Sequence, residues 1–159
     1  MRTRARTGVV AVLALLAFAG CTERPIDKLN HELADREAKV PSCEATDCTA
    51  EVAVLAKALT DLPGVVRVEK ARYREKQITD GASVLGYVVV AAGVDCDALE
   101  ERAAELGWKS SVSPLSSLHL QCGAAAVGGV EPARKNLFAT VRPTSQAQLK
   151  AWGDRGTLP

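Results

Sequence analysis

An α+β fold, a sandwich of split βαβ type, is what this chain predicts. Two observations carry that expectation. Apolar spacing switches in order from helical to alternating and back, giving helix, strand, strand, helix, strand between residues 49 and 122. Turn chemistry falls at the switches, at Leu62-Pro63-Gly64 and Thr79-Asp80-Gly81.

Each element has its own reason. Thr49 to Leu62 places Val52, Leu55, Ala56 and Leu59 on one helix face. Pro63 cannot continue that helix and Gly64 relaxes the turn after it. Val65 to Gln77 alternates, with Val66 and Val68 facing one way and Arg67 and Glu69 the other. After the turn, Val84 to Ala92 returns as a longer, more apolar strand. Asp95 suits the cap of a second helix running to Gly107, with Leu99, Ala103 and Leu106 inward. Ser116 to Cys122 alternates again, Leu118 and Leu120 against His119 and Gln121. One further strand over Lys39–Ser42 completes βαββαβ, the ferredoxin-like order, although Pro41 cannot donate to a ladder in a central strand. That domain runs from 40 to 123. Residues 124–159 form a C-terminal extension, with an edge strand over Asn136–Val141 and a helical turn over Ser145–Trp152 closed by Gly153. Trp108 and Tyr87 read as core anchors and Trp152 as the residue that docks the extension.

The N-terminus carries an address. Arg2, Arg4 and Arg6 precede an uncharged apolar run that ends in Phe18-Ala19-Gly20-Cys21. A positive n-region, an apolar stretch of signal length and small residues at the boundary make a secretory signal over residues 1–20. The string FAGC resembles the lipobox of bacterial lipoproteins. That resemblance implies cleavage between Gly20 and Cys21, and a diacylglycerol anchor with further acylation (palmitate) on Cys21. The alternative is an ordinary secretory signal with an incidental cysteine. Residues 21–39 then form a lipid-anchored polar tether, with Ile26, Leu29 and Leu33 at the spacing of a short amphipathic helix. The expected location is the cell membrane, on its extracytoplasmic face, with membrane lipid as a partner through the acylated Cys21.

With Cys21 given to lipid, four cysteines remain: Cys43, Cys48, Cys96 and Cys122. In an exported chain four thiols read as two disulfides, with three possible connectivities. On a ferredoxin-like path Cys43 and Cys48 meet where strand one ends. Cys96 and Cys122 meet at the opposite edge, so Cys43–Cys48 with Cys96–Cys122 needs no chain crossing. With Cys43 and Cys48 before the first helix, Asp61-Leu62-Pro63-Gly64-Val65 at its end and Gly107-Trp108 closing the second, the stretch from roughly Val40 to Cys122 resembles the heavy-metal-associated domain of copper chaperones and metal-transporting ATPases. That resemblance implies a Cu(I) site on Cys43 and Cys48, with copper as the alternative cofactor. The family's CxxC is replaced here by four intervening residues, and its preceding Met is missing. A redox dithiol is the third reading of the pair.

Removing residues 1–20 leaves 17 basic and 19 acidic residues, a formal charge of −2. Nucleic-acid binders carry a clustered positive surplus, so nucleic acid is not an expected partner. The clustered cations Arg67, Lys70, Arg72, Arg74 and Lys76 lie on one strand. They read either as an edge protected from strand addition or as a contact surface for acidic head groups or a partner protein. No HExxH, GxSxG or phosphate-binding glycine loop occurs. The expected role is therefore a non-catalytic binding or assembly module, for an envelope protein or a small ligand, with no catalytic residue assigned and no enzyme activity.

Overall fold

A computed structural model describes residues 24–44, 47–127 and 132–158. It is α+β, with a four-stranded mixed sheet and four helices. Helix α1 (Pro25–Glu37) and helix α2 (Thr49–Thr60) precede the hairpin of β1 (Val65–Arg74) and β2 (Ser83–Val90). A 3₁₀ turn (Asp97–Leu99) leads into α3 (Glu100–Lys109), followed by β3 (Ser117–Ala124), β4 (Lys135–Thr140) and α4 (Gln146–Trp152). Strand order across the sheet is β1-β2-β3-β4. The two outer pairs are antiparallel, and β2 pairs parallel with β3 across the α3 connection.

The expected helices and strands between residues 49 and 122 are all present, but the strand expected over Lys39–Ser42 is not. That stretch is turn and coil, consistent with a proline that has no N–H to give a ladder. Without it, β3 lies directly beside β2, Val88 opposite Cys122, and the far edge is taken by β4. Two further boundaries move. Helix α1 buries Leu29 and Leu33 in the core, so the stretch read as tether is packed structure from Pro25 onward. The extension past Gly123 contributes Leu137, Ala139, Val141, Leu149 and Trp152 to the same core.

The helices cover one face of the sheet. Val84, Val88, Val90, Leu118, Leu120, Cys122, Leu137 and Ala139 point toward them and meet Val52, Leu55, Leu59, Leu99, Ala103 and Trp108. Trp108 is fully buried, and its indole N–H donates to the Gly153 carbonyl at 2.9 Å. Arg36 of α1 donates to the same carbonyl, which places α1 in the helical layer beside α3 and α4. Arg155 closes the tail. Its guanidinium donates to the Val112 carbonyl at 2.6 Å and lies over the Trp108 ring. Gly107 exists for packing: a Cβ there would sit 2.7 Å from a methyl of buried Val141. At the C-terminus Ser145 caps α4 by accepting from the Gln148 N–H, and Gly153 takes φ +77° to end it. Among the described residues no helix is long and apolar enough to cross a membrane.

Candidate functional site

The face of the sheet opposite the helices is open. Its character is set by an irregularity in β1. Glu69 pairs with Tyr87 and Arg72 with Leu85, so Lys70 and Ala71 together oppose Gly86. That is a β-bulge, with Lys70 at φ +53°. Gly86 stands opposite the bulged pair. A Cβ there would lie 3.4 Å from the Ala71 Cα and from the Glu69 carbonyl. A bulge shifts the two-residue alternation by one position. Ala71 and Tyr73 therefore turn toward the core side, while Arg72 and Arg74 join Arg67 and Glu69 on the open face.

Two rows of side chains cross that face. One runs Arg72, Leu85, His119, Phe138; the other runs Glu69, Tyr87, Gln121, Asn136. All of these except Glu69, together with Lys70, line a concavity of about 550 Å³, within the range of small-ligand sites. Tyr87, expected in the core, is half-buried on this open face, because β2 points Val88 inward and its neighbours out. Two cations flank its ring, Lys70 Nζ at 5.3 Å and the Arg134 guanidinium at 4.5 Å from the centroid. Arg134 reaches across Gly123, where a Cβ would come within 3.3 Å of its side chain.

Charge is concentrated on the β1 side. Glu69 is paired with Arg67 at 2.5 Å, and that hydrogen bond holds its carboxyl below the usual range. Arg74 donates to the Ser83 hydroxyl and faces Asp80 at 3.8 Å. Among the described residues no carboxylate lies within ion-pair distance of Lys70 or Arg72. At the other end Phe138 is 53% exposed, its ring edge-on to His119 with centroids 4.5 Å apart. Partial burial, and then the nearby Arg74 charge, push the His119 imidazole below its ordinary pKa. Its Nε2 meets the Ser117 hydroxyl at 2.9 Å. Among the described residues nothing is bonded to its Nδ1, so no third group orients this pair as a nucleophile and base.

The other residues singled out from the sequence lie elsewhere. Cys21 falls outside the described residues. Cys43 is bonded to Cys48 and Cys96 to Cys122. The first bond closes the approach to α2, where Asp47 accepts from both the N–H and the hydroxyl of Thr49; those bonds hold its carboxyl low. The second ties the start of the 3₁₀ turn to β3. All four sulfur-bearing residues are buried. As bonded, Cys43 and Cys48 offer no thiolate, so the pair in this state does not fit Cu(I). Among the described residues no group of three or more His, Cys, Asp or Glu side chains comes together as metal ligands do. Tyr87, Phe138 and Arg134 are the face residues that the sequence reading missed as such. Their one signal was Phe138 at an outward position of an alternating strand, since its neighbours Leu137 and Ala139 point inward. No family model matches the chain, and no curated protein and no solved structure matches it.

Proposed function

We propose that the chain is a lipid-anchored, extracytoplasmic binding module that engages its ligand through the open sheet face and performs no chemistry on it. The fold behind it is a variant of the ferredoxin-like sandwich, with β2 and β3 closing over the place of a first strand and β4 taking the edge. The observation that carries the reading is the constellation on that face: Lys70 and Arg72 on one side, Tyr87 and Leu85 in the middle, Phe138 at the far end. Exposed cations, outward aromatics and the side-chain amides of Gln121 and Asn136 are groups that recognise a ligand. The N-terminal geometry agrees. Only three residues separate Cys21 from Pro25, so an acylated Cys21 holds α1 within about 14 Å of the lipid. Since α1 belongs to the helical layer, the open face is turned away from the layer that carries the anchor.

The test has two parts. Wild-type protein should partition into detergent phase, and Cys21→Ser should lose acyl mass and move to the aqueous phase. A photo-crosslinker placed at Gln121 in cells should give discrete adducts, whereas one at Glu101 on α3 should not. Equal aqueous partitioning of both proteins removes the anchor, and identical crosslinking from both faces removes the binding face.

A further inference from the structure

The register of the open face measures the ligand. Neighbouring strands lie about 4.8 Å apart. Arg72, Leu85, His119 and Phe138 form one transverse row, and three strand spacings put its ends about 14 Å apart. The ends differ in chemistry. At the β1 end stand Arg72 and, from the bulge, Lys70, two cations with no carboxylate within 4 Å among the described residues, although the Glu69 carboxyl, held by Arg67, feels the Lys70 charge. The middle of the row is the side chain of Leu85 and then the His119 imidazole, and the far end is the half-exposed ring of Phe138, edge-on to His119. Cation, aliphatic floor and aromatic stop follow one another within one concavity.

We propose that this face binds a monomeric amphiphilic organic anion, an acid group against Lys70 and Arg72 and a flat apolar body of about 10 Å lying over Leu85 toward Phe138. This rests on the reading of the open face as the binding face and names the ligand class for it. The complementarity is of charge at one end and of apolar surface at the other. A guanidinium offers a carboxylate or phosphate two parallel N–H donors, and Lys70 adds a point charge beside it. The body displaces water from the half-exposed Phe138 ring and from the part of Leu85 that folding leaves accessible. The bordering amides of Gln121 and Asn136 remain available to any polar substituent along the body. A flat anionic bilayer fits less well, because the groups that would bind it sit in a hollow across the sheet. An extended acidic peptide has no use for the apolar end.

The experiment uses the full-length protein in phosphatidylcholine nanodiscs, titrated with biphenyl-4-carboxylate and followed by amide NMR. The neutral isostere 4-phenylbenzyl alcohol and short, soluble acetate serve as controls. Saturable shifts should centre on Leu85, Gln121 and Asn136 with the acid, and acetate should not produce them. Arg72→Gln should weaken the acid about 10-fold and leave the alcohol unchanged. Phe138→Ala should weaken both by the same factor. Because both side chains are exposed, the variants should keep the wild-type spectrum elsewhere. Equal affinity for acid and alcohol, or an Arg72→Gln protein that binds the acid as well as wild type, overturns the proposal. If the acid fails while nanodiscs containing phosphatidylglycerol or a poly-glutamate peptide perturb the same residues, the ligand class falls and the binding face stands. If none of these probes perturbs the face, both fall.

Discussion

Removing the Cys96–Cys122 bond should cost this domain more than removing Cys43–Cys48, by an amount the chain path sets. The two bonds span 26 and 5 positions, closing loops of 27 and 6 residues. In the chain-entropy description, the longer loop contributes about 3.5 kcal/mol at 25 °C and the shorter about 2.2 kcal/mol. All four cysteines are buried, from fully for Cys122 to 8% exposed for Cys96. The space left by a lost sulfur is thus similar for the two pairs and largely cancels in the difference. The comparison is between the double variants Cys96→Ala/Cys122→Ala and Cys43→Ala/Cys48→Ala, each unfolded in urea and followed by Trp fluorescence, since buried Trp108 and Trp152 report the core. With a urea slope of about 2 kcal/mol/M, the midpoints should fall by about 1.8 M and about 1.1 M respectively. Releasing a cross-link also lets the unfolded chain expand, so the slope should hold or rise, and the comparison is made on stabilities extrapolated to zero urea. A larger loss from the Cys43/Cys48 pair would refute the loop argument. It would mean that the short bond holds α2 in place by native contacts, such as the Cys43 N–H donating to the Ser113 carbonyl.

Gly107→Ala should destabilise by about 1–3 kcal/mol in the same urea assay, although alanine is the better helix former, because the new methyl drives into Val141. An unchanged or raised midpoint would show that Val141 yields. His119 should titrate below 6.5 by NMR, and Phe138→Ala should raise its midpoint toward 6.5 by letting water reach the ring. The unfolded state then binds the proton more readily, so the contribution of His119 is constant above its unfolded pKa and stability falls as pH drops from about 6.5 toward the folded value. A midpoint above 6.5 would contradict this. Cu(I) should bind only after reduction, with Cys43→Ser/Cys48→Ser abolishing uptake and Cys96→Ser/Cys122→Ser leaving it intact; stoichiometric copper in protein taken directly from cells would reverse the assignment of this pair as a structural disulfide.

The elements legible in the sequence are those where one physical signal dominates. Val52, Leu55 and Leu59 could only be a helix stripe, and all three are buried. Ser145 and Gly153 marked both ends of α4, and the structure uses them as cap and stop. Pro41 stated its own objection to a central strand, and there the propensity of one residue outweighed the completeness of a pattern. Helix α1 shows the opposite failure. Its apolar residues are too few among its charges to announce a core element, yet Leu29 and Leu33 are nearly fully buried. What fixes α1 is tertiary: Arg36 reaches the Gly153 carbonyl, 117 positions away, and Asp154 beyond it. No local window contains that information.

The binding face was hidden for a related reason, and the cause lies in one residue. Strict alternation from Arg67 would have put Ala71 and Tyr73 on the open side and buried Arg72 and Arg74 toward the helices. Two guanidinium groups facing Leu55 and Leu59 would carry a desolvation cost that no partner there could offset. Inserting one residue at Lys70 avoids this at the modest cost of a positive φ. Gly86 stands opposite the insertion, where a Cβ would just reach contact with the bulged backbone. The sequence does contain the clue, but as a conflict: an apolar pattern that changes parity midway through one strand, opposite a glycine in the next. A bulge resolves that conflict and simultaneously gathers Lys70, Arg72 and Arg74 beside Tyr87 and Leu85. The device that keeps Arg72 and Arg74 out of the core is therefore the one that builds the cationic end of the open face.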